Sequence, residues 1–260
     1  MKKWITGILV VIALGCFALA GYSKLQGKEN EKIYEELQQA EEPVTEVEET
    51  TLEAELEEET EPEKEPVEIP VDFEELWEIN PDIYAWIEIP GTEIAYPIVR
   101  HPDDDAYYLN HTIEGKEGYP GSIYTESWNS KDFSDGNTVI YGHNMKNGSM
   151  FAQLHKYEDP EFLKENVTVY IYTPTQILTY EIFAAVVYDD RHIMMSFDFS
   201  DPNGYEEYIG TLQDSRYISN TIVEDALPDF DTPMITLSTC ISSMKENRWI
   251  VVAKLVDTAE

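Results

Sequence analysis

The sequence predicts a mainly β domain over residues 71–260, a barrel or a sandwich rather than a parallel α/β sheet. Seven short runs there are rich in Val, Ile, Thr and Tyr and are separated by Gly, Pro, Asn and Asp, which is typical of strands and turns. Only two stretches between these runs have a helical composition. The predicted strands are residues 93–100, 121–127, 137–142, 167–173, 177–188, 233–240 and 248–256.

Residues 1–28 are expected to form an uncleaved membrane anchor. Lys2 and Lys3 precede an uncharged run from Trp4 to Tyr22, and these 19 residues are just enough to span a bilayer as a helix. Because basic residues stay on the cytoplasmic side, the rest of the chain is expected outside the cell, in a single-pass topology.

Two other interpretations of this N-terminal segment stay open. The sequence ALA (18–20) before Gly21 resembles a signal-peptidase site, and cleavage there releases the protein. The sequence LGC (14–16) resembles the attachment site of a lipoprotein, although the apolar run continues past Cys16.

Residues 29–70 are expected to be a disordered acidic linker. The segment contains 18 Glu and four Pro, a composition that repels itself and cannot bury a core. It lacks the Asp spacing that a calcium-binding loop needs. Ile33 and Leu37 suggest at most one short amphipathic helix near its start. The whole chain has 52 acidic and 17 basic residues, and this balance excludes a nucleic-acid binder held by phosphate contacts.

The region after the linker is expected to begin with a helix pair. The segments DFEELWEIN (72–80) and PDIYAWIEI (81–89) are separated at Asn80-Pro81, because a residue before Pro avoids the helical conformation. Further helices are predicted over 149–166, where Ser149 is a candidate cap, and over 204–215.

Cys240 is the first candidate for a functional residue. If Cys16 lies in the membrane, Cys240 is the only thiol of the exported domain and has no partner for a disulfide. In MITLSTC (234–240) the alternation places Cys240 on the polar face with Thr236 and Ser238, at the end of a strand. The alternative is a buried, inert cysteine.

Arg248 and His143 are expected to lie near this thiol. Arg248 begins the next strand, so antiparallel pairing across the connector 241–247 places it beside Cys240, where its planar set of donors suits a developing oxyanion. Of the five histidines, His101 precedes a Pro and a run of Asp and has a loop-like context, whereas His143 follows an apolar strand and a Gly at a strand end. Imidazole suits proton transfer near neutral pH. The alternatives are a surface ion pair for Arg248 and a structural hydrogen bond for His143.

These residues together resemble the sortase family. The resemblance rests on TLSTC (236–240), Arg248 eight residues later, and YGHNM (141–145) about a hundred residues upstream. The expected N-terminal helix pair, the sequence AYYLNH (106–111) and a helix-bearing insertion (about 189–232) before the Cys strand resemble class B sortases. One departure is ISSM (241–244), where class B members often have an aromatic and an acidic residue.

The resemblance implies a closed eight-stranded β-barrel and a cysteine transpeptidase without a cofactor. Cys240 attacks the carbonyl after the Thr of a Pro- and Thr-containing sorting pentapeptide, near the C terminus of a secreted protein, and forms a thioester. His143 exchanges protons with the leaving and incoming amines, and Arg248 stabilises the oxyanion. Ser238 and Thr239 are expected to contact the substrate. No spacing in the sequence indicates a metal site.

The acceptor and the reaction stay open at this point. The resolving amine belongs either to a cell-wall precursor or to a pilin lysine, and water as acceptor makes the protein a hydrolytic cysteine peptidase. A non-catalytic surface binding module with a structural cysteine is the remaining alternative.

Overall fold

A computed structural model describes residues 25–39, 67–215 and 217–260. The apolar run of the predicted anchor and residues 40–66 of the predicted linker lie outside these ranges. Within them, no helix combines the length and the apolar composition needed to cross a membrane.

Eight strands form a closed β-barrel, which confirms the barrel that the resemblance to sortases implies. The strands pair in the order β5-β1-β2-β3-β4-β8-β9-β6, and pairing between β6 and β5 closes the ring. The two-residue strand β7 adds to β6 outside the ring. The strands are β1 (Ile83–Ile89), β2 (Ile94–Val99), β3 (Ile123–Tyr124), β4 (Asn137–Tyr141), β5 (Thr168–Tyr172), β6 (Ile177–Asp189), β7 (Thr221–Ile222), β8 (Met234–Ile241) and β9 (Met244–Ala259).

The strand β8 separates two apolar cores, because successive side chains of a strand point to opposite faces. Ile235 and Leu237 belong to the larger core. Met234 lies in a second core on the other face, which the insertion before β8 covers. There the hydroxyl groups of Tyr208 and Thr236 are 2.7 Å apart. Both faces of β8 are therefore packed, which holds its C-terminal end in place.

The prediction of a helix over 81–89 is wrong, since these residues form β1. The preceding helix α2 (Phe73–Ile79) is present, and Asp72 caps it by accepting a hydrogen bond from the Glu75 amide at 3.0 Å. The segment after Pro81 is rich in strand-forming residues such as Tyr84 and Trp86, and six of the seven residues of β1 are buried. Pairing with β2 and β5 overrides the helical pattern.

A helix, α1, occupies residues 25–39, including the first part of the predicted disordered linker. Asn30, Tyr34 and Leu37 are buried against the barrel, and Ile33 packs beside them. The acidic side chains lie mostly on the other side of α1. The linker prediction is therefore wrong for residues 29–39, because one apolar face of this acidic segment docks on the domain. Two helices do precede β1, but they are α1 and α2.

The other predicted helical stretches are present with different details. Residues 149–166 form a 3₁₀ helix (Phe151–Glu158) followed by α3 (Pro160–Glu165). Ser149 does not cap the 3₁₀ helix, because its hydroxyl bonds to Asn147 and Met150 occupies the cap position. The insertion contains α4 (Ile193–Ser196), α5 (Pro202–Asp214) and a 3₁₀ turn (Glu224–Ala226). Another 3₁₀ turn (Tyr107–Leu109) lies between β2 and β3.

Candidate active site

Cys240 and Arg248 face each other across the hairpin of β8 and β9. Cys240 pairs with Arg248 in the antiparallel register, which confirms the predicted adjacency. The connector differs from the expected loop. Ile241 pairs with Met244 in a tight turn, and a register shift between Cys240 and Ile241 leaves residues 245–247 of β9 without a partner on β8.

The thiol of Cys240 is accessible. Cys240 is exposed, and among the described residues it is the only cysteine. Ser238 and Thr239, immediately before it, are buried. The Thr239 hydroxyl donates to the Gly142 carbonyl oxygen at 2.8 Å, so this side chain ties β8 to the segment after β4. The alternative of a buried, inert cysteine does not describe this position.

His143 reaches the same end of the barrel because β4 and β8 are parallel neighbours. Tyr141 lies opposite Ser238, and the Gly142 amide donates to the Ser238 carbonyl oxygen at 3.1 Å. A side chain at Gly142 would approach Ile123 within 2.5 Å and the Phe151 ring within 2.6 Å, so only glycine fits before His143.

The ring of His143 has one polar partner among the described residues. Its Nε2 lies 2.6 Å from the Leu109 carbonyl oxygen, and the Tyr119 ring contacts it edge-on at 5.3 Å between centroids. Because a carbonyl oxygen only accepts, Nε2 carries a proton in this arrangement. The second nitrogen, Nδ1, is therefore the atom available for proton transfer.

Arg248 contacts main-chain carbonyls rather than a carboxylate. Its Nη1 donates to the carbonyl oxygens of Lys245 at 3.2 Å and Asn247 at 3.0 Å. Within the described part of the chain it forms no ion pair, which does not support the alternative of a surface ion pair. The guanidinium thus holds the hairpin after Cys240 through one nitrogen, and Arg248 also lines the cleft.

One cavity of about 270 Å³ brings all five predicted residues together. Cys240, His143 and Arg248 line it with Ser238 and Thr239. Its other walls come from the 3₁₀ turn before β3, from β3 and the residues after it, from the end of β4, from β6, from the start of the insertion and from β9. They are Leu109, Tyr124, Glu126, Tyr141, Gly142, Tyr188, Asp189, Asp190, Arg191, His192, Ile193 and Ile250. A nucleophile, a proton-transfer group and a permanent cation therefore share one cleft.

The sequence analysis missed a carboxylate–imidazole pair in this cleft. His192 Nε2 lies 2.6 Å from Glu126 Oε2 and links the insertion to the segment after β3. Burial raises the pKa of Glu126, and the adjacent His192 opposes this shift. Glu126 lies near the end of the predicted strand 121–127, so its position at a strand end was a usable signal. His192 belongs to an irregular part of the insertion, where no sequence pattern fixes its direction.

The described residues contain no cluster of three or more His, Cys, Asp or Glu side chains arranged to hold a metal ion. An exposed thiol at a strand end, beside an imidazole and a guanidinium, can support acyl transfer through a thioester.

Comparison with known proteins gives a consistent assignment. Residues 87–256 match the family model of the sortase domain. A sortase B of Listeria monocytogenes is 36% identical over 188 residues, covering 71% of this chain and 74% of that protein. The crystal structure of Clostridium perfringens sortase B, 31% identical, superposes with a TM-score of 0.63 over 72% of this chain and 100% of that one. A Staphylococcus aureus sortase B–substrate complex is 27% identical, with a TM-score of 0.62 over 71% and 84% of the two chains.

Proposed function

Because this chain belongs to the sortase family, and within it to class B, we propose that it cleaves the sorting motif of secreted proteins and transfers them to a cell-wall amine. Sortases are cysteine transpeptidases. The specific proposal is that the scissile bond follows the Thr of a Pro- and Thr-containing pentapeptide. The observation that carries it is the shared cleft of Cys240, His143 and Arg248.

In the first half of the proposed reaction, the thiolate of Cys240 attacks the carbonyl carbon of the motif's Thr. The peptide bond after this Thr breaks as a thioester forms, and the protonated imidazole of His143 gives its proton to the departing amine. The guanidinium of Arg248 stabilises the negative charge on the carbonyl oxygen in the transition state.

In the second half, a primary amine of a cell-wall precursor attacks the thioester. It loses a proton to His143, a new amide bond forms, and the thiolate of Cys240 leaves. The enzyme thereby returns to its starting state. Ser238 and Thr239 lie along the same wall and contact the acyl group, with the Thr239 hydroxyl engaged by Gly142.

The solved complex of a related sortase B with its substrate supports a peptide occupant for a cleft of this fold. The proposed site of action is the outer face of the cell membrane, with residues 1–28 as anchor. Fractionation of cells tests the anchor, and a mature N terminus at Gly21 in the medium contradicts it.

A pool of pentapeptides that contain Pro and Thr, with and without triglycine as acceptor, tests the reaction. We expect wild-type protein to form an acyl adduct on Cys240, seen by mass spectrometry, and to join triglycine to the cleaved peptide. The variant Cys240→Ala is expected to fold normally and to lose both adduct and product. An adduct in the Ala variant rules out Cys240 as nucleophile, whereas an adduct resolved only by water indicates a hydrolytic peptidase.

A further inference from the structure

The main-chain ladder between β4 and β8 ends just before the two reacting side chains. Its last hydrogen bond runs from the Gly142 amide to the Ser238 carbonyl oxygen. In a continuing parallel ladder, the amide of Asn144 would next donate to the carbonyl oxygen of Cys240. Instead the two segments separate here, and the cleft opens between His143 and Cys240.

The side chain of Asn144 takes the place of the missing main-chain bond. Its Nδ2 donates to the Cys240 carbonyl oxygen at 2.9 Å. Asn144 is the residue directly after His143, so this bond connects the two segments that carry the imidazole and the thiol. The backbone of Asn144 is itself fixed, because it bridges to Met150 and the Phe151 amide donates to the His143 carbonyl oxygen at 3.0 Å.

A second histidine orients the Asn144 amide. His155 Nε2 lies 2.9 Å from Asn144 Nδ2 and 3.1 Å from the Cys240 carbonyl oxygen. Its Nδ1 lies 2.6 Å from Glu158 Oε1. A proton on Nδ1 pairs with this carboxylate, so Nε2 is unprotonated and accepts the second proton of the amide. The approach of Nε2 to the Cys240 carbonyl oxygen is then a contact between two acceptors and not a hydrogen bond, so Asn144 alone donates to that oxygen. His155 also stacks on Trp249, with ring centroids 6.0 Å apart, which limits the motion of the imidazole.

None of these three side chains lines the cleft. Asn144 and His155 contact Cys240 at its main-chain carbonyl group, whereas Cys240 itself lines the cleft. We propose that Asn144, oriented by His155 and Glu158, is a positioning residue that fixes the separation between the thiol of Cys240 and the imidazole of His143. The proposal rests on the proposed function, in which these two groups react together.

Peptide turnover by Asn144→Ala provides the first measurement. We expect kcat to fall by about 10- to 100-fold with KM within threefold of wild type, because a misplacement of about 1 Å between reacting groups costs this much without weakening substrate binding. Asn147→Ala is the matched control, since Asn147 lies in the same loop and its side chain interacts with Ser149 and with Glu31 of α1, away from Cys240 and His143. It is expected to keep wild-type kcat.

Alkylation of Cys240 by iodoacetamide provides a measurement that needs no substrate. The full chain is alkylated at a series of pH values. The rate is then measured from the label on the proteolytic peptide that contains Cys240, so that alkylation of Cys16 does not contribute. Because the thiolate reacts, this profile reports how the thiol and the neighbouring imidazole share a proton. We expect its midpoint to move by at least about half a pH unit in Asn144→Ala and in His155→Ala, and to stay unchanged in Asn147→Ala.

The combined results decide between positioning and a structural role. His155→Gln, which retains a neutral hydrogen-bonding group, is expected to recover most of the kcat lost in His155→Ala. For Asn144→Ala, a lower melting temperature with unchanged kcat and unchanged alkylation profile overturns the proposal. A rise in KM alone overturns it as well, and so does a loss of kcat with no change in the alkylation profile. If wild-type protein turns over no peptide, the proposed function fails, and the alkylation profiles still test the position of Cys240 against His143.

Discussion

The guanidinium of Arg248 makes contacts that the ammonium group of a lysine cannot reproduce. Its Nη1 donates to the carbonyl oxygens of Lys245 and Asn247, and the other donors of the planar group form no hydrogen bond with the described residues, while Arg248 lines the cleft. An ammonium group is a compact charge without this fork. We therefore expect Arg248→Lys to lower kcat by at least about a hundredfold, the typical loss for one oxyanion donor, with little change in melting temperature.

Arg191→Lys is the matched control for this prediction. Arg191 lines the same cleft, but its guanidinium is paired with Asp189, with an Nη2–Oδ2 distance of 2.5 Å. Its replacement is expected to leave kcat within threefold of wild type. Steady-state kinetics on one peptide compares the two variants. A rise in KM with intact kcat for Arg248→Lys would limit Arg248 to binding the ground state of the substrate.

Gly121 supports His143 through the shape of the backbone. It has a φ of +68°, and a side chain there would lie 2.7 Å from the Leu109 carbonyl oxygen, the hydrogen-bond partner of the imidazole. Gly121→Ala is expected to reduce both the free energy of unfolding and kcat. Gly115 has a similar φ of +72° but nothing closer than 3.5 Å, so Gly115→Ala should cost about 1–2 kcal/mol and spare kcat.

Urea unfolding and peptide kinetics of both glycine variants check this prediction. Equal losses of kcat in the two variants would mean that backbone strain alone, and not crowding at Leu109, disturbs His143.

The predicted site residues were found because each stands at the end of a regular strand. Strand alternation gives the face of Cys240, hairpin pairing gives its neighbour Arg248, and the apolar run before Gly142 places His143. Asn144 and His155 could not be assigned in this way. Their role depends on the separation of β4 from β8 and on a 3₁₀ helix packed behind the thiol, and both are set by tertiary packing.

At the scale of elements, α1 shows how a short apolar face can dock a segment of otherwise acidic composition. The Tyr34 hydroxyl lies 2.6 Å from the Gly121 carbonyl oxygen and 3.0 Å from the Ser122 hydroxyl, and it accepts a hydrogen bond from the Ile113 amide at 3.2 Å. The helix is thereby attached to the loop that contacts His143.

Tyr34→Phe is expected to lower the free energy of unfolding by about 1–3 kcal/mol, because it leaves buried polar groups without their partner. Denaturant titration measures this loss. Tyr217→Phe is the control, since the Tyr217 side chain is exposed and its loss of a hydroxyl should be neutral within error. An unchanged stability in Tyr34→Phe would mean that α1 contributes little to the folded domain.

The two errors in element assignment have a common physical cause. Residues 81–89 have apolar spacing compatible with a helix or with a strand buried on both faces, and only pairing with β2 and β5 decides between them. Residues 29–39 have the charge of a disordered linker, while Tyr34 and Leu37 become favourable only against the barrel surface. Neither the strand pairing of residues 81–89 nor the docking of residues 29–39 on the barrel can be predicted from local composition, because both depend on tertiary contacts.

At the scale of the whole molecule, the closed barrel explains why residues distant in the sequence meet. The strands β4 and β8 are parallel, so their C-terminal ends lie at the same rim, and β9 returns from that rim through the tight hairpin. His143, Cys240 and Arg248 therefore converge without any long loop. The insertion before β8 covers the outer face of the strand and supplies His192 to the cleft wall.

The charge of the molecule makes its stability depend on salt. Residues 71–260 contain 34 acidic and 11 basic side chains, and the ion pairs of the described residues, such as Lys164–Glu161 and Arg191–Asp189, are largely exposed. Because acidic side chains are in excess, screening by salt weakens the repulsion among them more than it weakens the attraction within the ion pairs. We expect the melting temperature at pH 7.5 to rise as NaCl increases from about 10 to 300 mM, over which the Debye length falls from about 30 to below 10 Å.

Calorimetry at two pH values separates this effect from general salt effects. Near pH 4.2, the isoelectric point of the chain, the net charge vanishes, and the same NaCl series should change the melting temperature little. A sucrose series at pH 7.5 controls for solute exclusion from the protein surface, which acts without screening. A melting temperature that falls with NaCl at pH 7.5 would show that attraction between charged groups outweighs their repulsion, and that the excess of acidic residues is compensated within the fold.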